Sequence, residues 1–190
     1  MTYGYPALET QAQEIAEDWC RLLGASGRRS PFLHPAWHAV WSQSFPAAEG
    51  ERFLLTVRDG AHLRFVVPLE RRGAHLALAG DHQVCDYMDI IAAPEADGAA
   101  WSRLLDELAA LPWQELVLWG LPEDSPTRQI VPWLAAARGW SVEDALEAVC
   151  PRVALPNSWD DYLATLSKKD RHELRRKLRR FQEAGSTLRV

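Results

Sequence analysis

The dipeptide Asp59-Gly60, set between the apolar-rich runs 52–58 and 61–71, constrains this chain more than any other feature. Extended segments joined by Asp-Gly form a tight hairpin, because these two residues accept the left-handed backbone that such turns require. The middle of the chain is thereby committed to an antiparallel sheet. Gly73 then breaks the second run, and 74–78 predicts a third strand.

The flanking segments read as helices and as an α/β crossover. Leu8, Ala12, Ile15, Ala16, Trp19, Leu22 and Leu23 recur at three and four residues, which predicts one helix over 7–23, stopped by Gly24. Ser30-Pro31 breaks the chain, and Pro35 opens a short helix through Trp41, since proline at a first helical position forfeits no hydrogen bond. After the hairpin, 85–91 reads as a strand and 94–98 as a loop, and Trp101, Leu104, Leu105, Leu108 and Leu111 mark an amphipathic helix. The run Glu115 to Trp119 has the near-continuous apolar character of a strand covered on both faces, so a central position is expected. Ser125-Pro126 caps a helix with Ile130, Val131, Trp133, Leu134 and Ala137 on its buried side, and a last strand region at 140–155 closes the unit. Trp19, Trp37, Trp41, Trp101, Trp119 and Trp133 fall at core-facing phases and read as packing.

The expected fold class is therefore α/β (α+β), a mixed central sheet flanked by helices. Residues 1–150 account for one domain. A second opens at 151–190, with an extended piece at 151–155, Asn157-Ser158 capping a helix over 159–166, Ser167 capping a basic helix, and a strand at 187–190. This unit reads as incomplete, the chain stopping inside that strand. No apolar run approaches the roughly 20 residues needed to cross a bilayer. The first residues lack a basic region followed by an apolar stretch, so a cytoplasmic location is expected. Cys20, Cys85 and Cys150 form no Cys-x-x-Cys pair and read as reduced, buried side chains.

Three segments carry a family likeness: 30–37 (SPFLHPAW), 85–89 (CDYMD), and Trp159-Asp160-Asp161-Tyr162-Leu163 continuing to Ser167-Lys168-Lys169-Asp170-Arg171. Together they resemble the cellulose-biosynthesis (CelD-type) acetyltransferases of the GNAT superfamily, which are related to the FemAB aminoacyltransferases. The resemblance implies two GNAT-like domains in tandem, and an N-acyltransferase that uses acetyl-CoA or another acyl-CoA as co-substrate. The acceptor would be an amine of a sugar or cell-envelope precursor. A GNAT domain that binds acetyl-CoA uses a glycine-rich turn whose backbone N–H groups meet the pyrophosphate at a helix N-terminus. The corresponding link, 92–99, holds only Gly98 and carries Glu95 and Asp97, charges that repel phosphate. No cofactor site is therefore expected in this chain, and the donor would be sought in the second domain. The alternative is a non-catalytic GNAT-like module that binds a substrate or partner.

Candidate chemistry lies at two places. Asp86 and Asp89, around Tyr87, could supply a general base for an acceptor amine; in a strand they project to opposite faces, so at most one lines a given cleft. The bland reading is that both cap the strand. The second place is 168–180, with eight basic residues against Asp170 and Glu173, a local charge of +6 that leaves −11 for the rest of a chain of net charge −5. The resemblance implies that Lys168, Lys169 and Arg171 face the acceptor groove. Clustered cations also suit an anionic membrane or nucleic acid, although nucleic-acid binding is not expected of this charge-rich helix, which reads first as a solvated face. His34 and His38 have the spacing of a helical metal pair, but Pro35 intervenes and no third ligand is near, so no metal is expected. Cys85 is rejected as a nucleophile, because the adjacent Asp86 raises a thiol pKa.

Overall fold

A computed structural model describes residues 7–45 and 50–185. These divide into two compact units, Met1–Glu147 and Ala148–Val190. The strand expected at 187–190 lies outside the described residues.

In the first unit the predicted opening helix is two helices, α1 (Leu8–Glu14) and α2 (Ala16–Ser26), which meet at a non-helical Ile15 with φ −110° and ψ 13°. Gly24 does not stop α2. Gly27 does, because its φ of 72° is left-handed and ends the helix at little steric cost. A single 3-10 turn, Pro31–Leu33, leads into α3 (Pro35–Ser44). Ser30 caps that turn, and the His34 ring caps α3 by accepting from the Ala36 N–H.

The hairpin forms as expected, β1 (Glu51–Asp59) running antiparallel to β2 (His62–Arg72) with Glu51 opposite Arg71. The other edge of β2 has two partners. β3 (His75–Leu78) pairs with its far end, Leu69 opposite Leu78, and β4 (Ile91–Ala92) pairs nearer its start, Val66 opposite Ile91. The Ala79 N–H donates to the Pro68 carbonyl and the Ala93 N–H to the Arg64 carbonyl, each continuing the same ladder. β3 and β4 are thus two halves of one strand, interrupted by an excursion over 80–90. The strand expected over 85–91 accordingly does not form, except where Ile91 rejoins the sheet. Tyr87, with φ of 53°, turns the chain within the excursion.

From β4 the chain enters α4 (Gly98–Ala109), returns as β5 (Glu115–Val117) parallel to β3, and continues into α5 (Pro126–Ala137). β5 lies at the edge of the sheet rather than its centre. The closing strand expected at 140–155 forms no ladder, and 141–156 is exposed throughout, so nothing among the described residues pairs with the outer side of β5.

The sheet separates two apolar clusters. Phe53, Phe65, Val67 and Leu69 face Trp101, Leu104 and Leu108 of α4 and Val131 and Leu134 of α5. Leu54, Val66 and Ile91 face Leu8, Ala12, Trp19, Leu22 and Trp41 of α1 to α3. The alternation of Phe65, Val66 and Val67 across β2 builds three layers from one strand. Trp133, expected in the core, is 71% exposed. The buried side of α5 runs through Thr127, Val131, Leu134 and Ala135 instead.

The second unit contains α6 (Trp159–Thr165) and α7 (Lys168–Glu183). The Ser158 hydroxyl accepts from the Asp161 N–H at 3.1 Å and the Ser167 hydroxyl from the Asp170 N–H at 3.2 Å, so both helices start where their serine caps place them. No helix among the described residues is long and apolar enough to cross a membrane.

Candidate functional site

The excursion over 80–90 leaves the sheet where β3 ends, close to the point at which β3 and β5 stop pairing. In open sheets the crevice beyond the carboxyl ends of parallel strands is a frequent ligand site. Here side chains fill it. The Trp119 indole Nε1 donates to the Leu78 carbonyl at 2.9 Å, and the Trp119 ring stacks with His82, their centroids 4.0 Å apart. A Cβ on Gly80 would come within 2.8 Å of the Trp119 ring, which explains glycine at that position. Glu147 closes the arrangement, accepting from the Gly120 N–H at 2.9 Å and meeting His82 Nδ1 at 2.8 Å. The Gly120 N–H first, and His82 second, hold its carboxyl below the usual range.

At the end of the excursion Asp89 is buried, its side chain 1% exposed. Its Oδ1 accepts from the Ser125 hydroxyl at 2.8 Å, the Thr127 hydroxyl at 2.6 Å and the Ile90 N–H at 2.9 Å. Its Oδ2 makes no hydrogen bond and faces Arg28 Nε at 3.5 Å. Burial pushes the carboxyl up, while Thr127, Ser125 and Arg28 pull it back in part. Arg28 also donates to the Asp124 carboxylate at 3.1 Å and to the Asp124 carbonyl at 2.8 Å. Asp89 therefore ties the excursion to the start of α5 and to the loop before Pro31. With three hydrogen bonds on Oδ1 and Arg28 facing Oδ2, this carboxylate joins three segments of the chain.

The relation expected between Asp86 and Asp89 fails with the strand that was to carry them. Asp86 and Tyr87 are exposed at the turn, and Asp89 is buried behind it. The Ser30 hydroxyl donates to the Asp86 carbonyl at 3.3 Å, so the structure brings segments 30–37 and 85–89 together. Beside them runs an open groove of about 600 Å³, lined by Leu23, Trp37 and Val40 together with Arg28, Arg29 and His34. Arg28 is engaged with Asp89 and Asp124, whereas Arg29 is exposed and takes part in no ion pair among the described residues.

The two histidines share no site. The His34 ring serves as a helix cap and lies 3.5 Å from the Cys20 sulfur, while His38 is buried against Trp19, ring centroids 5.4 Å apart. Burial holds the His38 imidazole down to about 3; the Phe32 backbone offsets a small part, without a hydrogen bond of normal geometry to either ring nitrogen. Burial also pushes the Cys85 thiol up. Cys20 and Cys150, expected to be buried, are exposed. Among the described residues no group of three His, Cys, Asp or Glu could hold a metal ion.

At the start of α4, the Asp97 carboxylate accepts from the Ala100 N–H at 2.9 Å and Glu95 pairs with Arg64 at 2.5 Å. The helix terminus where a pyrophosphate would be sought is capped by the protein's own anion. In the second unit Lys168 and Lys169 are exposed in the first turn of α7, and Arg171 is half-buried, donating to the Leu166 carbonyl at 3.2 Å.

Sequence reasoning missed Arg28, Thr127, His82 and Glu147. Ser125 was legible only as a cap; its second role comes from the return of Asp89 to its side. Compared with family models, curated proteins and solved structures, the chain matches none of them. Fold and site define a mixed α/β protein with a mixed sheet between helical layers and a sheet crevice closed by aromatic side chains.

Proposed function

We propose that this chain serves a GNAT-type N-acyltransferase reaction, in which an acyl group passes from acyl-CoA to an amine of a sugar or cell-envelope precursor, and that residues 1–147 are its non-catalytic, acceptor- or partner-binding module. The filled crevice carries this reading: Trp119 occupies the space beyond β3 and β5 and is fixed there by its bond to Leu78. The Asp97 cap of α4 adds to it, because a carboxylate at a helix N-terminus repels a pyrophosphate. The acyltransferase part rests on the sequence resemblance. The groove over Trp37, bordered by the exposed Arg29, suits an acceptor that combines an apolar or ring face with a phosphate.

Calorimetric titration of residues 1–190 with acetyl-CoA, and separately with glucosamine 6-phosphate as a soluble phosphorylated amino sugar, tests both parts. No heat is expected with acetyl-CoA, and saturable heat that disappears in Arg29→Ala is expected with the sugar phosphate. Stoichiometric acetyl-CoA binding would overturn the donor-free assignment. Absence of sugar-phosphate binding would remove the groove as the acceptor surface.

A further inference from the structure

The second unit carries a long basic helix with an apolar stripe. α7 is a helix of 16 residues, about 24 Å at 1.5 Å per residue. Leu174, Leu178 and Phe181 recur at four and three residues and share one face, with Leu178 36% and Phe181 41% exposed. Arg175 and Lys177 border this stripe on its two sides. Part of the cationic charge is internally neutralised, Arg176 and Lys177 by Glu173 and Arg179 by Glu183. Lys168, Lys169 and Arg175 take part in no ion pair among the described residues. In α6, Trp159 is 52% exposed and its ring lies 5.5 Å from that of Tyr162.

We propose that α7 docks in the plane of an anionic phospholipid surface, with Leu174, Leu178 and Phe181 entering the headgroup boundary and the bordering cations reaching lipid phosphates. Charge complementarity selects an anionic partner, since the segment 168–180 carries +6 within a chain of net charge −5. The apolar stripe selects a lipid surface among anionic partners. A nucleic-acid duplex would satisfy the cations and leave three apolar side chains in water, whereas a bilayer interface takes both at once. Arg and Lys beside the stripe can lay their aliphatic stems along it and keep their charged ends among the headgroups. An indole exposed next to this helix suits the same boundary.

The test is co-sedimentation of the full chain with phosphatidylcholine vesicles, with and without about a third phosphatidylglycerol, set beside duplex DNA at the same ionic strength. Binding to the anionic vesicles is expected to exceed that to neutral ones by roughly ten-fold or more and to fall as salt is raised. The double variant Leu178→Glu, Phe181→Glu is expected to lose at least about ten-fold of this binding with helical circular dichroism unchanged, whereas Phe181→Leu retains it. Equal binding to both vesicle types would overturn the proposal. So would tighter binding to DNA than to anionic vesicles, or full vesicle binding by the double glutamate variant, since either shows that the apolar stripe takes no part.

Discussion

His38 is a buried imidazole with neither ring nitrogen hydrogen-bonded, so its neutral form is strongly favoured in the folded state. An imidazole whose folded value is depressed contributes stability that is full above its unfolded value and is lost as the pH falls. Unfolding by acid is therefore promoted between 6.5 and about 3 by this one group, at close to 1.4 kcal/mol per pH unit once the unfolded chain is protonated. His38→Phe keeps the stack on Trp19 and is expected to remove this dependence and to raise stability at neutral pH by about 1 kcal/mol. Urea unfolding of both proteins at pH 5 and pH 7.5 reads the difference; parallel pH dependence in the two would show that His38 is not the proton acceptor. Asp89 acts with the opposite sign. Its carboxyl is raised by burial, so its contribution is greatest below 3.8 and declines as the pH rises through the folded value. Asp89→Ala deprives the Ser125 and Thr127 hydroxyls and the Ile90 N–H of their acceptor, and a loss of about 3 kcal/mol is expected. A shift of the urea midpoint equivalent to less than about 1 kcal/mol would mean that the tie contributes little to the fold.

At the scale of elements, the interrupted strand β3/β4 and the parting of β3 from β5 create one crevice, and Gly80 and Trp119 close it together. Gly80→Ala forces a methyl group against an aromatic ring and is expected to cost about 1–3 kcal/mol. Trp119→Ala removes the ring and leaves a cavity, at about 3–5 kcal/mol. Because the clash in the first variant is with the ring deleted in the second, the double variant should be scarcely less stable than Trp119→Ala alone. Strict additivity in that cycle would mean that residue 80 is glycine for some other reason. The same crevice explains why a functional reading through strand ends finds no opening in this unit.

For the molecule as a whole, the two units are joined by a stretch in which 141–156 is exposed at every residue and, among the described residues, forms no backbone hydrogen bond. Its side chains do hold at the near end, through Asp144 to Arg128 and Glu147 to Gly120. Cleavage by proteases requires an unpaired, accessible backbone. Brief trypsin digestion is therefore expected to cut first after Arg152 and to release a fragment 1–152 that retains the cooperative melting of the first unit. First cleavage within 1–140 would show that the joining stretch is not the most accessible backbone, and loss of melting once the chain is cut at Arg152 would show that the first unit is not stable without residues 153–190.

The local elements were legible in the sequence because each rests on contacts between near neighbours. Asp59-Gly60 determined the hairpin, Ser158 and Ser167 the starts of α6 and α7, Pro35 the start of α3, and the spacing of Leu104, Leu105 and Leu108 the buried face of α4. The misreadings share a cause. The segments 85–91 and 115–119 both read as strands, yet one leaves the sheet in a turn at Tyr87 and the other ends as an edge, because strand status depends on which partner the sheet offers. Gly24 and Gly27 are alike in sequence, and only backbone conformation separates a helical glycine from the one that ends the helix. The contacts of Asp89 with Arg28, Ser125 and Thr127, and the closing of the crevice by Trp119, His82 and Glu147, each join residues far apart in the chain. No periodicity or spacing encodes such meetings; only tertiary packing decided them, and with them which carboxylates and aromatic rings serve the fold and which remain free to meet a ligand.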